Sequence, residues 1–318
     1  MAQFDLPRSA LETFHPDIDE PADFDDFWAR TLADAATHDL DATFEPYDAL
    51  LPGVEIFDVR FSGSGGQRVA GWFLLPRHTT GPLPTIIQFI GYGGGRGRPH
   101  EWLLWPAAGY AVLVMDSRGQ GDGDTSDLHG VGPQHTGLLT RGVLDASEYY
   151  YRRLFTDAVR AVDAAKTRPE VDPSRIVVAG ASQGGGIAQA VSGLRDDLAG
   201  AIVDVPFLTG FRRASEITDA YPYREIGDFC QTNRDKVAQV FTTLAYFDGI
   251  SFAARGTAPA LYAVGLMDGI CPPSTVYAAY NRRPSAKEML VWPYNGHDGG
   301  GNFQQPESLR WLRKLFTS

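Results

Sequence analysis

Short continuous runs of apolar residues recur along the chain and predict strands that are buried on both faces. They include 85–90, 111–115, 176–179 and 261–264, and stretches with helical character lie among them at 155–165 and 185–194. Strands that alternate with helices pair in parallel, with the helices packed on both sides of the sheet. The pattern therefore predicts an α/β fold with a mostly parallel central sheet.

The N-terminal part of the chain carries two other patterns. Residues 20–28 combine an early proline and acidic side chains with apolar positions on one face, which is typical of a helix start. We accordingly expect residues 1–50 to form a helical extension. Two segments of mixed polarity follow on either side of a glycine-rich turn, at 54–62 and 67–75, and predict an antiparallel hairpin.

Two long stretches interrupt the alternation of strands and helices. Residues 117–146 are rich in Gly, Asp and Thr and are expected to be irregular. Residues 204–257 are rich in aromatic side chains. We interpret them as a helical insertion that forms a lid, because insertions at strand ends commonly carry function. The alternative is a helical subdomain whose aromatic residues pack only against one another.

Composition and charge narrow the classes of function. The 318 residues include 28 basic and 39 acidic side chains, which gives a net charge of −11. This balance argues against a nucleic acid or an anionic membrane as partner, because both attract clustered lysine and arginine. No apolar run approaches the ~18 residues of a membrane span, and the acidic N-terminus lacks the apolar core of a signal peptide. With only Cys230 and Cys271, expected to be reduced thiols, these features indicate a soluble cytoplasmic protein.

The sharpest chemical signal is the sequence Gly180-Ala181-Ser182-Gln183-Gly184. It matches the G-x-S-x-G pattern of a nucleophile elbow, in which a serine stands on a strained turn between a strand and a helix. Small residues two positions on either side allow the backbone to bend that tightly. Because a buried strand precedes the motif and a helix follows it, we predict Ser182 as a catalytic nucleophile. The alternative is a glycine-rich packing turn.

A serine nucleophile requires a base, which an acid orients. In this architecture the chain order is Ser, then Asp or Glu, then His, and His297 is the only histidine after Ser182. Three aspartates are candidates for the acid: Asp204 and Asp268, which each follow a predicted strand, and Asp298 beside His297. We favour Asp268, because it lies one strand before the histidine and the prolines after it predict a helix that would hold its loop.

Hydrolysis of an ester creates an oxyanion, which preorganised N–H groups must stabilise. One predicted donor is the backbone N–H of Gln183, directly after the nucleophile. The other is the N–H of Tyr92 in the glycine-rich segment 91–95, which follows the first buried strand. The spacing of the glycines in that segment does not match a phosphate-binding motif.

The acidic run 122–127 superficially resembles a calcium loop but lacks glycine at its sixth position, so we expect no metal and no other cofactor.

Several longer signatures resemble the acetyl xylan esterase and cephalosporin C deacetylase family, which is carbohydrate esterase family seven. Residues 116–121 match its Arg-Gly-Gln motif, the elbow matches as Gly-x-Ser-Gln-Gly, and 246–248 and 265–275 match two further signatures. The chain departs from the family pattern at Ile90, where a histidine is common, and at Asp298, where a glutamate is usual. Neither departure removes a member of the predicted triad, so they bear on the range of substrates.

The resemblance implies one α/β-hydrolase domain over residues 1–318, with Asp268 rather than Asp204 as the acid and with Tyr92 and Gln183 as oxyanion donors. It implies hydrolysis, through an acyl-enzyme, of small acetyl esters of carbohydrates such as acetylated xylo-oligosaccharides, and of cephalosporin C. It also implies a homohexamer with enclosed sites.

Two residues of the Arg-Gly-Gln motif follow a predicted strand at the catalytic edge of the sheet. We interpret Arg118 and Gln120 as supporting residues that hold loop atoms or a carboxylate in place, rather than as catalysts. Two alternatives to the esterase stay open at this point. One is another activity on the same fold, such as a peptidase, and the other is a carbohydrate-binding protein without catalysis.

Overall fold

The computed structural model describes residues 3–128 and 137–317 of the chain. Within these residues one sheet of nine strands runs through the molecule, in the order β1-β2-β3-β5-β4-β6-β7-β8-β9. The strands are β1 (Thr43–Pro46), β2 (Val54–Ser62), β3 (Arg68–Pro76), β4 (Leu83–Phe89), β5 (Ala111–Met115), β6 (Val171–Ala181), β7 (Gly200–Asp204), β8 (Ala260–Gly265) and β9 (Lys287–Trp292).

The sheet is parallel over most of its width. Strands β1, β2 and β3 pair antiparallel, and β3 joins the rest through an antiparallel pairing with β5. Every pairing from β5 to β9 is parallel. The α/β fold, the mostly parallel sheet and the hairpin are thus confirmed. The neighbouring strands β4 and β6 lead in opposite directions, since the chain leaves β4 for β5 on one side and leaves β6 for β7 on the other. This reversal opens a crevice at the carboxyl ends of the strands, where ligands bind in such sheets.

Eleven α-helices connect or flank the strands in the described parts of the chain. They are α1 (Arg8–Leu11), α2 (Phe24–Ala36), α3 (Leu104–Ala107), α4 (Tyr150–Lys166), α5 (Gln183–Leu194), α6 (Phe211–Ile217), α7 (Arg224–Thr232), α8 (Val237–Ala245), α9 (Gly249–Arg255), α10 (Pro273–Arg282) and α11 (Gln304–Thr317). Short 3-10 helices lie at Ser64–Gly66, Pro99–Trp102, Arg234–Lys236 and Gly301–Phe303.

Helices cover both faces of the sheet, and each face has its own core. Strand β5 shows the division, because its residues are all buried and alternate between the two faces. Leu113 belongs to the core that contains Phe155 of α4 and Ile187 of α5. Val114 belongs to the opposite core, with Trp311 of α11. Burial on both faces is the reason that such strands have continuous apolar sequences.

The N-terminal segment contains the predicted helix start but differs after it. Helix α2 buries Phe24 and Trp28 against the core. Residues 43–46, which we expected within a helical extension, instead form the edge strand β1, paired with β2. Four residues are too few for a periodic pattern to reveal, and the backbone partners that hold them in place come from another strand.

The insertion between β7 and β8 is helical, as predicted, and contains α6 to α9. Its aromatic residues join the main core rather than forming a separate one. The ring centroid of Phe247 lies 5.5 Å from that of Trp28 and 4.8 Å from that of Tyr149. The N-terminal segment ties the insertion down further, since Glu20 accepts hydrogen bonds from Arg255 at 2.9 Å. The role of the insertion as a lid stays a prediction.

The predicted irregular stretch has little regular structure where it is described. Residues 117–128 and 137–146 contain no helix and only an isolated bridge residue, Gln120, and the rest of the stretch lies outside the described residues.

No helix in the described ranges has both the length and the apolar character needed to cross a membrane.

Candidate active site

Ser182 stands between the carboxyl end of β6 and the first residue of α5. Its backbone has φ 58° and ψ −120°, a conformation that costs a residue with a side chain about 1–3 kcal/mol. The flanking glycines are sterically required. A Cβ on Gly180 would lie 2.3 Å from the carbonyl carbon of Gly184, and a Cβ on Gly184 would lie 2.4 Å from the carbonyl oxygen of Phe89. The spacing of the motif therefore reflects a steric limit at both positions.

A chain of hydrogen bonds joins Ser182 to His297 and Asp268. Ser182 Oγ lies 2.8 Å from His297 Nε2, and His297 Nδ1 lies 2.9 Å from Asp268 Oδ2. The Asp268 side chain is fully buried, whereas that of His297 is 25% exposed. The structure thus brings together the serine, the histidine and the favoured acid from three separate parts of the sequence, with the imidazole open to an incoming molecule.

The loops that carry Asp268 and His297 hold each other in place. Asp268 Oδ1 accepts the backbone N–H groups of Ile270 and Cys271 at 2.8 and 2.9 Å, which leaves Oδ2 for the imidazole. The histidine loop packs so closely on this region that a Cβ on Gly265 would lie 2.2 Å from a carbonyl oxygen of that loop. Helix α10 begins directly after the acid loop, where the prolines predicted a helix start.

The two other candidate acids have different partners. Asp204 accepts a hydrogen bond at 2.9 Å from Gln304 Nε2 of α11. Asp298 is exposed and accepts one at 2.7 Å from Asn295 Nδ2 within the histidine loop. The imidazole Nδ1 is bonded to Asp268 instead. Of the three candidate aspartates, the favoured Asp268 is therefore the one that bonds the imidazole.

Cys271 lies against the triad and completes a group with the spacing of a metal site. Ligand atoms of Asp268, Cys271 and His297 lie within 4.8 Å of one another, which no other group in the described residues matches. Burial raises the pKa of the Cys271 thiol well above its usual value, and the Asp268 carboxylate raises it further, while contact with Ser182 lowers it. The thiol is therefore neutral, and the Asp268–His297 hydrogen bond occupies atoms that a metal would need. The arrangement favours proton transfer over metal binding.

A buried amide pair connects the elbow to the glycine-rich loop after β4. Gln120 Nε2 donates to Gln183 Oε1 at 3.0 Å, and Gln183 Nε2 donates back to Gln120 Oε1 at 3.2 Å. Gln120 Oε1 also accepts the backbone N–H of Gly93 at 2.7 Å. The hydroxyl of Tyr150 accepts a hydrogen bond from Gln120 at 2.7 Å, and that of Tyr151 donates to Gln183 at 2.9 Å. This network holds the elbow and the loop at a set separation.

The side chain of Tyr92 is held by structural contacts. Its hydroxyl donates to Glu225 Oε1 at 2.7 Å and accepts the N–H groups of Leu138 and Leu139 at 3.0 and 3.2 Å. Its ring packs edge-on against Phe207, with the centroids 5.8 Å apart. Burial raises the pKa of Tyr92, so the phenol stays protonated. The backbone N–H is therefore the group of Tyr92 that remains for a substrate.

Nothing in the sequence singles out Tyr150, Tyr151 or Glu225 as part of this site. The two tyrosines are the first residues of α4 and belong to a run of three tyrosines whose sequence is typical of a hydrophobic core. Glu225 lies on α7 in the insertion. Their partners come from other elements, so no local spacing or motif could have found them.

Arg118 is completely buried close to the amide pair. Its Nε and Nη2 donate to the two carboxylate oxygens of Asp157 at 2.6 and 2.7 Å, and its Nη1 donates to Asp127 Oδ1 at 3.3 Å. The carbonyl oxygen of Arg118 accepts a hydrogen bond from Tyr150 at 2.6 Å. The arginine therefore holds the loop that carries Gln120 by both its side chain and its backbone.

Comparison with known proteins agrees with this geometry. The chain matches the family model of acetyl xylan esterases over residues 1–315. Acetyl esterase Axe7A of Xylanibacter ruminicola is 26% identical over 325 residues, which cover 95% of this chain and 69% of that protein. The solved acetyl xylan esterase from Paenibacillus sp. R4 is 38% identical with a TM-score of 0.92, covering 97% of this chain and 99% of that one. Acetyl xylan esterase 1 from Thermoanaerobacterium sp. JW/SL YS485 is 33% identical with a TM-score of 0.91, covering 98% and 100%.

More distant structures share the fold alone. Acylaminoacyl peptidase from Pyrococcus horikoshii is 16% identical with a TM-score of 0.60 and covers 86% of this chain and 41% of that one. The family model, in contrast, spans nearly the whole chain, and both esterase structures align over almost their full lengths. This chain therefore belongs to the acetyl xylan esterase family and is a carboxylic ester hydrolase with the α/β-hydrolase fold.

Proposed function

We propose that the protein is a serine esterase that hydrolyses small acetyl esters of carbohydrates, such as acetylated xylo-oligosaccharides, through a covalent acyl-enzyme. The observation that carries the proposal is the continuous chain of hydrogen bonds from Ser182 Oγ through the His297 ring to Asp268. Membership of the acetyl xylan esterase family supports acetyl esters as the substrate class. The resemblance noted in the sequence extends the proposal to cephalosporin C.

The proposed reaction has two halves. In the first, His297 Nε2 takes the proton of Ser182 while Oγ attacks the ester carbonyl carbon, and the imidazolium then protonates the alcohol as its bond to that carbon breaks. In the second, His297 removes a proton from a water molecule that attacks the acyl-enzyme, and the proton passes to Ser182 as acetate leaves. Asp268 accepts the Nδ1 hydrogen throughout and keeps Nε2 directed at the serine.

The proposed oxyanion donors are the backbone N–H groups of Tyr92 and Gln183. Gln183 is the first residue of α5, so its N–H belongs to the positively polarised end of a 12-residue helix. Neither N–H has an acceptor among the residues that the structure describes. Because Gln120 bonds both the Gln183 amide and the N–H of Gly93, it supports a constant separation between the two donors.

Replacing Gln120 with leucine is expected to lower kcat for 4-nitrophenyl acetate by about 10- to 100-fold, with a smaller change in KM. The substitution removes the acceptor of Gly93 N–H and the partner of the Gln183 amide. The two oxyanion donors then lose their fixed separation, which matters most in the transition state. Steady-state kinetics of the purified variant measures the effect.

A matched control for this prediction lies in the nucleophile helix itself. Gln189 of α5 is also fully buried, donates to the carbonyl of Gly249 at 2.9 Å and accepts from the hydroxyl of Tyr262 at 2.9 Å. Gln189→Leu should lower stability in the same way but leave kcat near that of the unaltered enzyme. Equal losses of kcat in the Gln120 and Gln189 variants would contradict the positioning role.

The acyl group that the site accepts is expected to be short. The backbone N–H of Phe207 donates to the Ser182 carbonyl at 2.9 Å, and the fully buried Cys271 contacts the serine side chain, so protein atoms already occupy part of the surroundings of the nucleophile. Membership of the acetyl xylan esterase family supports the same preference. We expect kcat/KM for 4-nitrophenyl acetate to exceed that for the octanoate by at least about 100-fold.

An ester series with two to eight acyl carbons, measured beside the amide 4-nitroacetanilide, tests this expectation. Equal rates for the acetyl and octanoyl esters would overturn the preference for a short acyl group. Faster cleavage of the amide than of its matching ester would favour a peptidase. The homohexamer stays a prediction from the family resemblance, and the absence of a cofactor and the cytoplasmic location stay predictions from the sequence.

A further inference from the structure

A cavity of about 360 Å³ lies beside the proposed triad, at the carboxyl ends of β4, β6 and β7. This side cavity is lined by elbow residues, by the histidine loop, by the start of α11 and by the segment around α3, including Trp102, Trp105, Asp204, His297, Asn302 and Gln304. It opens where the sheet order reverses between β4 and β6, which is the usual ligand position in such sheets. Its volume is in the range of small-molecule sites.

Asp204 is the most unusual group in the wall of the side cavity. Its Oδ1 accepts the Gln304 amide at 2.9 Å, and among the described residues none is hydrogen-bonded to Oδ2. Burial raises the pKa of Asp204 to about 7, against the opposing effect of the Gln304 hydrogen bond. Near neutral pH the carboxyl group is therefore partly protonated, and its second oxygen can both donate and accept a hydrogen bond.

The rest of the lining fits a neutral molecule that is rich in hydroxyl groups. The exposed amide of Asn302 offers a donor and an acceptor, and the indoles of Trp102 and Trp105 offer apolar surface. The Gln304 amide is already bonded to Asp204 and Trp292 and holds the carboxyl group in place. A pyranose ring presents the same combination, because its hydroxyls donate and accept while its C–H groups are apolar. The acidic residues Glu101 and Asp298 at the wall disfavour an anionic ligand.

The position of His297 indicates which part of a substrate would lie here. In the reaction proposed above, His297 protonates the leaving alcohol, so the alcohol departs beside the imidazole. His297 lines the side cavity, and the carbonyl of Asp204 accepts the backbone N–H of Ser182 at 3.0 Å, which couples the cavity wall to the nucleophile.

We infer that the side cavity binds the alcohol part of the ester, a neutral sugar ring with free hydroxyls, and that Asp204 is a specificity-determining residue that hydrogen-bonds it. This inference rests on the proposed esterase function for its assignment of acyl and alcohol sides. Asp204 then binds the substrate from the carboxyl end of β7 but is not a member of the triad.

The test compares a sugar ester with a simple ester of the same acid. In Asp204→Leu, which keeps the volume but removes the carboxyl group, the ratio of kcat/KM for monoacetylated xylobiose to that for ethyl acetate should fall at least about tenfold. Asn302→Ala, at an exposed position where folding is not at risk, should lower the same ratio in the same direction. Gln231→Ala, exposed on α7 and outside the cavity, is the control and should leave the ratio unchanged.

A binding measurement separates this inference from the proposed function. Calorimetry with unacetylated xylobiose on the full chain should show binding that Asp204→Leu weakens at least about tenfold. A proportional loss on both esters, with xylobiose binding unchanged, would overturn the side cavity as a sugar site. Absence of ethyl acetate hydrolysis in the unaltered protein would instead overturn the proposed esterase function. The xylobiose titrations would still show whether the side cavity binds a sugar.

Discussion

Replacing Ser182 with alanine is expected to reduce kcat for 4-nitrophenyl acetate by about 10⁵-fold or more, with little change in KM. Alanine removes the only atom that attacks the ester, Oγ, which lies 2.8 Å from His297 Nε2. The alanine Cβ needs the same backbone conformation as serine, so the elbow should persist and the melting temperature should stay close to that of the unaltered enzyme. The loss is then one of chemistry rather than of folding.

Ser174→Ala is the matched control for this result. Ser174 lies on the same strand, β6, but near its opposite end, and its hydroxyl donates to the side chain of Asp172. Its replacement should leave kcat unaltered. A fluorophosphonate probe should label Ser182 in the unaltered enzyme and in the Ser174 variant, and mass spectrometry should locate the adduct. An active Ser182→Ala enzyme would overturn the mechanism, and failure of the probe to label Ser182 would favour a carbohydrate-binding protein without catalysis.

Replacing Arg118 with methionine is expected to lower the free energy of unfolding by about 3–5 kcal/mol, because removing one partner of a buried ion pair leaves an uncompensated charge. Arg118 and Asp157 are both fully buried and share two hydrogen bonds at 2.6 and 2.7 Å. The loss of Arg118 should destabilise the Asp127 carboxylate less, because that carboxylate keeps its hydrogen bond with Arg153 at 2.9 Å. Urea unfolding followed by fluorescence measures the change.

The destabilisation should also depend on pH. Burial by itself would raise the pKa of Asp127, but its ion pairs with Arg153 and Arg118 hold it below the usual value. A carboxylate with a lowered folded-state pKa stabilises the fold fully above its unfolded pKa of about 3.9, and that contribution is lost as the pH falls through the folded value. Without Arg118 the folded-state pKa of Asp127 should rise toward the unfolded value, so this contribution should be smaller and its loss complete at a higher pH than in the unaltered protein.

Two further variants decide how the Arg118 result is interpreted. In a double-mutant cycle, Arg118→Met combined with Asp157→Asn should cost less than the sum of the single changes, because the second removes the stranded charge. Arg8→Met, in an exposed pair with Glu12, should leave the urea midpoint unchanged. A midpoint for Arg118→Met equal to that of Arg8→Met would contradict a stabilising role for the buried pair.

The central strands could be predicted from the sequence because burial on both faces demands continuous apolar residues. Strands β4, β5, β6 and β8 each contain such a run, and all were found. Strand β1 was missed, since its four residues are only partly covered and owe their conformation to pairing with β2. The aromatic insertion was correctly predicted as helical, but its attachment to the main core through Phe247 depends on partners far away in the chain.

The buried network around the elbow could not be predicted for the same reason. Gln120 and Gln183 were both expected near the site, but their reciprocal amide bonds arise only when the loop after β5 and the start of α5 meet. Tyr150, Tyr151 and Glu225 join this region from elements that no motif connects to it. Hydrogen bonds between side chains of distant elements leave no periodic pattern in a sequence.

By itself the sequence determined the proposed nucleophile and base. The steric reason for Ser182 is local, since Gly180 and Gly184 act on the same turn, and the chain order leaves His297 as the one histidine in place. The sequence favoured Asp268 as the acid, but only the tertiary structure shows which aspartate reaches the imidazole. Asp204 and Asp268 follow the neighbouring strands β7 and β8, and they differ in what packs beside them: α11 supplies Gln304 to the first, and the histidine loop brings the imidazole to the second.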